Sequence, residues 1–423
     1  MIIHVVKNGD TLWGTANRYG VDVSKIIEAN ELPDPNKLVI GQALVIPGVV
    51  RKHTVRPREM LWQIAQFYGT TVQELLEVNQ IQNPNLITPG MVLTIPVRKP
   101  VIDVNAYVIN MGEEGAQDVR EVGEYLTYAA PFAYIMQEDG GLTEINDTEV
   151  IRAAVESRAI AMMCITNFTA ADPGSKLAQT ILGSKEIQER LLNNIVKTMK
   201  EKGYQGLNID FENVYPEDRE QYNQFLRRAV DRLHKENYFV STALAPKTSG
   251  DQKGLLYEAH DYRAHGRIVD FVILMTYEWG YRFGPPQAIS PLNQIKQVLD
   301  YAVTVIPREK IFFGFQLYAR DWLLPHVEGQ EAETFDMQEA VRRAVKHGAV
   351  IQYDQTSQAP FFRYVDEEGR THEVWFEDAR SAQAKFDMVK DYRLRGISYW
   401  VLGYPFPQNW LLLGENFTIR KRR

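Results

Sequence analysis

The chain has 423 residues, 45% hydrophobic and 24% charged, with a formal net charge of −7. That composition excludes intrinsic disorder and collagen-like order, and at ~100–200 residues per domain the length predicts two to four domains. No uncharged apolar run approaches the ~18–20 residues of a membrane span. The N-terminus lacks the basic-then-apolar layout of a secretory signal, and 47 basic against 54 acidic residues leave no basic face for a nucleic acid.

The first 97 residues carry eight charges of each sign, so the acidic excess lies downstream. Shifting the sequence by 49 positions aligns His4–Pro47 with His53–Pro96 without a gap. Identities include His4, Leu12, Trp13, Ala16, Tyr19, Gly20, Asn30, Gly41, Ile46 and Pro47. This is a duplicated module. In each copy an extended piece leads through a turn into a helix starting near Leu12 or Leu61. A second helix covers Val23–Ala29, and a strand at Ala43–Ile46 closes the unit, giving a βααβ module. Trp13 and Tyr19 are expected to form its small core. The run Gly9-Asp10-Thr11-Leu12-Trp13 and the ending at Pro47 resemble the LysM family. That resemblance implies binding of N-acetylglucosamine-containing glycans such as peptidoglycan or chitin. It places Gly9, Asp10, Thr11, Leu12, Asn30 and Ile40 at the groove, while the second copy departs from the pattern at Arg58-Glu59-Met60. Modules are expected at 1–48 and 51–97, with a charged, Pro-containing linker at Val97–Pro100 opening a catalytic domain over 98–423.

From Val101, apolar extended runs alternate with helical stretches. The runs are Val104–Asn110, Thr127–Ile135, Ala159–Thr166, Gly206–Glu212, Phe239–Pro246, Phe271–Tyr277, Lys310–Tyr318 and Gly396–Gly403. Eight strands with interposed helices predict an α/β fold, the (β/α)8 TIM barrel; an open doubly wound sheet is the alternative. The surplus over a plain barrel of ~250 residues falls at about 323–378, read as a small α+β insertion between strands seven and eight.

Barrel chemistry sits at the C-terminal strand ends. In the fourth strand the two-residue period sends Leu207, Ile209 and Phe211 to one face and Asn208, Asp210 and Glu212 to the other. The apolar set packs under helices, so the polar set enters the lumen. Two carboxylates ~7 Å apart on one strand project the same way and cannot flank a bond from opposite sides. They fit one acid plus one helper, with a nucleophile supplied by the substrate. Repulsion from Asp210 is expected to raise the Glu212 pKa.

The stretch Gln205-Gly206-Leu207-Asn208-Ile209-Asp210-Phe211-Glu212 resembles the D-G-x-D-x-D-x-E signature of glycoside hydrolase family 18, with Gln205 and Asn208 as departures. The resemblance implies that Glu212 is the general acid/base and that Asp210 turns to the substrate acetamido group. It implies that Asn208 holds Asp210 by a hydrogen bond and that Tyr277 binds the acetamido carbonyl. Met275-Thr276-Tyr277-Glu278 resembles the family's M-x-Y-D, and Gly314–Arg320 its G-x-P-x-Y-G-R. Trp400 is implied as the pocket floor, with Met275, Tyr107, Tyr318 and Gln316 also substrate-binding. Trp279 and Trp322 are further candidates for the cleft wall.

No HExxH, G-x-S-x-G or phosphate-loop pattern occurs, so no metal and no cofactor are expected. His260 and His265 are placed in a solvent-facing loop, lone Cys164 is a buried apolar residue, and Arg420–Arg423 is a solvated tail. The two glycan modules with this barrel resemble the spore cortex-lytic N-acetylglucosaminidases. The resemblance implies a peptidoglycan hydrolase acting during germination, made in the mother cell and placed in the spore without a signal peptide. A chitinase and a non-catalytic lectin are the alternatives. Nothing in the sequence requires more than a monomer.

Overall fold

The computed structural model describes all residues except Pro33, Val49–Arg51, Val97, Arg98 and Arg423. Part of the expected linker therefore lies outside the described residues. Compactness divides the chain into two units. One is Met1–Val101 with Pro407–Thr418, and the other begins at Ile102, runs to Phe406 and resumes at Ile419.

In the first unit, β1 (Ile2–Val5), α1 (Leu12–Tyr19), α2 (Val23–Asn30) and β2 (Ala43–Ile46) form the first module, its strands antiparallel with Ile2 opposite Ile46. The second repeats it as β3 (Lys52–Thr54), α3 (Leu61–Tyr68), α4 (Val72–Val78) and β4 (Val92–Thr94). Thr11 caps α1 by accepting the Gly14 amide at 3.0 Å, and Gly20 ends it in the left-handed conformation. Copy two has no hydroxyl at Met60. There the Gln63 side chain accepts the Met60 amide instead, at 2.9 Å. In both copies a histidine bridges the turn to the helix: His4 contacts Asp10 and Tyr19, and His53 contacts Glu59 and Tyr68. Contrary to expectation, Trp13 is 71% exposed. Val6, Leu12, Ala16, Ile26, Leu44 and Ile46 make the core, with Tyr19 at its edge. Helix α14 (Pro407–Asn416), expected with the barrel, groups with this unit. Its Gln408 amide donates to Asn30 Oδ1 and the Ala43 carbonyl at 2.7 and 2.9 Å.

The second unit is the closed barrel. Its eight parallel strands are β5 (Val101–Val108), β6 (Tyr128–Pro131, extended by the short β7, Tyr134–Ile135), β8 (Ile160–Thr166), β9 (Gly206–Asp210), β10 (Phe239–Leu244), β11 (Phe271–Leu274), β12 (Ile311–Gln316) and, last in sequence, β18 (Gly396–Trp400). The last strand returns to the first, with Tyr399 opposite Ala106. Helices α5 (Gly112–Val122), α6 (Thr148–Glu156), α7 (Ser175–Gly183), α8 (Lys185–Lys202), α9 (Arg219–His234), α10 (Tyr262–Ile268) and α11 (Leu292–Val305) come between the strands. The insertion is a five-stranded antiparallel sheet, β13 (Tyr318–Leu324), β14 (Glu333–Asp336), β15 (Gln352–Asp354), β16 (Ala359–Val365) and β17 (Thr371–Trp375), with α12 (Met337–Lys346). It opens at Tyr318, earlier than expected, because the seventh barrel strand ends at Gln316 and the chain turns directly into β13. Helix α13 (Ala379–Tyr392) leads to the last strand. It carries a buried ion pair, Lys385 Nζ to Glu377 at 2.7 Å, with both side chains at most 1% exposed.

Two further expectations are corrected here. Arg420 and Lys421 of the basic tail are docked, and Arg423 lies outside the described residues. Arg420 pairs with Asp103 at 2.6 Å and its amide bonds the Ile102 carbonyl, while Lys421 Nζ caps the Gly123 and Leu126 carbonyls. His260 and His265 are buried, at 1% and 0% exposure, between β10 and the helices outside it.

Candidate active site

The fourth barrel strand builds the centre. Leu207 and Ile209 are fully buried on the helix side, and Asn208 and Asp210 enter the lumen. The strand ends at Asp210, two residues short of the expected boundary, and Glu212 stands beyond it at the barrel mouth. Asp210 and Glu212 line one cleft of about 450 Å³. With them are Tyr107, Met275, Tyr277, Tyr318 and Trp400, all chosen from the sequence. Glu278, Arg320, Phe132, Phe168, Tyr281, Arg282 and Tyr404 also line it, and sequence reasoning did not assign them to the site.

Asn208 does not bond Asp210. Its Oδ1 accepts the Tyr107 hydroxyl at 2.9 Å and the Cys164 thiol at 3.5 Å, and its Nδ2 donates to Ser241 at 3.0 Å. The amide is thus consumed across the lumen by strands one, three and five. Asp210, 4% exposed, keeps Oδ1 buried with no protein partner. Burial drives the Asp210 carboxyl well above its usual range, and the neighbouring Glu212 adds to this. Glu212 is pushed up to about 7, first by burial and then by Glu278. The repulsion between the two carboxyls expected from the sequence is present as well, and it raises Asp210.

Tyr277 reaches the cleft because the sixth strand stops at Leu274 and its continuation is held by side-chain bonds. Thr276 Oγ1 accepts the Gly314 amide at 3.1 Å and donates to the Gly314 carbonyl at 2.8 Å. Only glycine fits there, since a Cβ on Gly314 would lie 2.3 Å from the Leu274 carbonyl oxygen and 2.9 Å from the Tyr277 ring. Glu278 follows at a φ of 70° and is gripped by Arg320 and the Tyr318 hydroxyl. Trp400 packs edge-on against Tyr107 and Phe132, with ring centroids 5.5 and 4.7 Å away.

Gln316 is not in the cleft. It is fully buried, bonded to Ser290 and, at 3.1 Å, to Glu377. Trp322, 1% exposed, donates its indole N–H to the Gly284 carbonyl in the loop after the sixth strand, and Trp279 is not among the cleft-lining residues. In the first module Gly9, Thr11 and Ile40 are exposed, and Asp10 is partly so. Leu12 belongs to the core. Asn30, 1% exposed, spends its amide on the Ile26 carbonyl and both backbone groups of Val45. Those two residues shape the module from inside rather than presenting a surface to a glycan. Among the described residues no three His, Cys, Asp or Glu side chains are grouped to hold a metal ion.

A closed (β/α)8 barrel with an acid of raised pKa at its C-terminal rim is an arrangement that suits a glycosidase. The chain belongs to the glycosyl hydrolases family 18, whose family pattern matches residues 92–404, and LysM domains match residues 4–47 and 53–96. It is 52% identical to the cortical fragment-lytic enzyme of Bacillus subtilis, with 100% of this chain and 99% of that protein aligned. The protein of the same name from Bacillus anthracis is 47% identical, over 99% of each. The crystal structure of the Bacillus megaterium spore cortex-lytic enzyme SleL superposes with a TM-score of 0.89 at 43% identity, covering 100% of this chain and 99% of that one.

Proposed function

We propose that this enzyme hydrolyses spore cortex peptidoglycan or its fragments at N-acetylglucosamine, with retention of configuration, and that its LysM modules hold it on the glycan. The observation that carries the reading is the buried, unpartnered Asp210 oxygen beside a Glu212 that holds its proton to about pH 7. Glu212 gives its proton to the glycosidic oxygen. The free Asp210 oxygen accepts the substrate acetamido N–H, which aims the acetamido carbonyl oxygen at C1. That oxygen displaces the leaving group and forms an oxazolinium ion. The Asp210 carboxyl keeps hold of the acetamido N–H as the oxazolinium forms, and the Tyr277 hydroxyl donates to the acetamido oxygen. Glu212, now a carboxylate, takes a proton from the water that opens the ring. Trp400 supplies a flat apolar face for the sugar.

The names of the close relatives support the cortex as substrate. The test is release of reducing N-acetylglucosamine ends from purified cortex muropeptides by the parent and by Glu212→Gln. Products from the parent alone support the reading. Cleavage of chitin oligomers with cortex untouched would identify a chitinase, and glycan binding with no cleavage by the parent would remove the hydrolytic role.

A further inference from the structure

Glu212 lies where the barrel no longer holds the chain. Pairing with the third strand ends at Thr166–Asp210, and pairing with the fifth ends at Thr242–Ile209. Backbone groups of Phe211 and Glu212 therefore have no ladder partners, and a buried peptide group cannot be left unbonded cheaply.

Two side chains take the place of the missing strands. On one side Asn167, just past the third strand and 2% exposed, accepts the Glu212 amide on Oδ1 at 2.9 Å. Its Nδ2 donates to the Glu212 carbonyl at 2.7 Å and to the Gly174 carbonyl at 3.0 Å. One primary amide thus bonds the peptide N–H and C=O of the same residue, as a neighbouring strand would. On the other side His260 contacts the Phe211 carbonyl through Nε2 at 2.8 Å and accepts the Ala245 amide on Nδ1 at 2.9 Å. A backbone N–H can only donate, so Nδ1 is bare and Nε2 carries the hydrogen. Burial above all, with Lys247 nearby, pushes His260 down to about 4, so this tautomer persists through the neutral range. The loop containing Asn167 grips the next residue as well: Ser175 donates to the Asn213 carbonyl, and Asn213 Nδ2 donates to the Pro173 carbonyl at 3.4 Å.

We propose that Asn167 and His260 are positioning residues for the catalytic acid, forming a two-sided clamp that replaces strand pairing and fixes where the Glu212 carboxyl stands. All the hydrogen bonds described for these two side chains go to backbone groups, so neither has a direct role toward substrate. The idea rests on Glu212 being the acid. Misplacing a reacting group by ~1 Å costs on the order of 100-fold in rate, which sets the scale of the expected effect.

The test compares the full-length parent, Glu212→Gln, Asn167→Ala, Asn167→Asp, His260→Ala and His260→Gln on a nitrophenyl glycoside of an N-acetylglucosamine disaccharide. Hydrogen exchange of residues 208–214 is followed in the same samples. Asn167→Ala is expected to lower kcat about 100-fold with KM within about threefold. Its alkaline limb should move to lower pH, because a loosened Glu212 is better solvated while Asp210, Tyr277 and Glu278 still surround it. Exchange should rise at 211–213 and not across the barrel strands. Asn167→Asp keeps the shape and the acceptor but turns an oxygen toward two carbonyls, so its rate should fall at least as far as that of Asn167→Ala, and the His260 pair still reports if neither Asn167 variant folds. His260→Gln retains a donor for Phe211 and should exceed His260→Ala by about tenfold.

Parent-like kcat in Asn167→Ala, or a glutamine no better than alanine at 260, would overturn the clamp. So would an exchange increase spread over the whole barrel. A parent-like rate in Glu212→Gln would instead overturn the acid assignment, and the exchange measurement would still decide whether the clamp exists.

Discussion

Arg320 holds Glu278 through two hydrogen bonds of 2.9 Å, one from each terminal nitrogen, and this pair walls the cleft that contains Glu212. Glu278 is the second cause, after burial, of the raised Glu212 pKa. Glu278→Gln removes a negative charge and leaves the Arg320 cation uncompensated, and both effects favour ionised Glu212. The alkaline limb of the kcat/KM–pH profile is expected to move to lower pH, with residual activity at pH 5. An unmoved limb would show that the pair does not tune the acid.

A carboxyl with a raised folded-state pKa makes the protein less stable as pH rises. Between about 4.5 and 7 the folded state keeps the Glu212 proton that the unfolded state has lost, so stability falls across that window. Glu212→Gln has no proton to lose. Its stability advantage over the parent should be near zero at pH 4 and reach on the order of 3 kcal/mol above pH 7. Denaturant unfolding at four pH values checks this, and a pH-independent difference would contradict it.

Asn208→Asp introduces a third carboxyl beside Asp210. The Tyr107 hydroxyl can still donate to it, but the donor to Ser241 is lost when the new group ionises. Activity is expected to stay within about tenfold of the parent, at a cost of about 1–3 kcal/mol in stability. The pH profile should change shape because a proton can now be shared in the lumen. Loss of all activity would mean that the amide itself is required.

Lys385 and Glu377 are both shut away from water and joined at 2.7 Å. Lys385→Met leaves Glu377 buried with Gln316 as its remaining side-chain partner and should destabilise the barrel by about 3–5 kcal/mol. Adding Glu377→Gln should recover most of that loss. Urea unfolding of the two variants separates the ion pair from the packing around it.

Trp13 stands in solvent, so Trp13→Ala is expected to change the stability of the first module by no more than about 0.5 kcal/mol. Asn30→Ala removes a buried amide, takes that partner from the Ile26 carbonyl and the Val45 backbone groups, and should cost about 1–3 kcal/mol. Thermal unfolding of the two variants separates an outward aromatic from an inward polar residue. The opposite order would restore the view of Trp13 as core.

The barrel was legible because eight apolar runs separated by helical stretches leave few ways to bury both faces of a sheet. The acid pair was legible because the period-two alternation at 207–212 puts the polar residues on one face. Sequence reasoning failed where a side chain's neighbour came from a distant segment. His260 and His265 sit in a polar stretch that reads as solvent-facing, yet one of them bonds a carbonyl 49 residues away. Gln316 continues the strand pattern toward the cleft, and only Glu377 of the insertion and Ser290 draw it aside. Asn167 gave no signal at all, since an asparagine after a strand reads as a turn residue.

By itself the sequence determined the duplicated modules, the alternation that closes the barrel and the acids at its rim. Each follows from local periodicity, which constrains neighbours in the chain and the face they share. The tertiary structure alone decided that Asp210 keeps an unpartnered oxygen, that burial and Glu278 raise Glu212, and that Asn208 serves Tyr107 and Ser241. Proton affinity depends on how much water is excluded and which charges stand nearby, and both are set by segments far apart in sequence that meet only when the barrel closes.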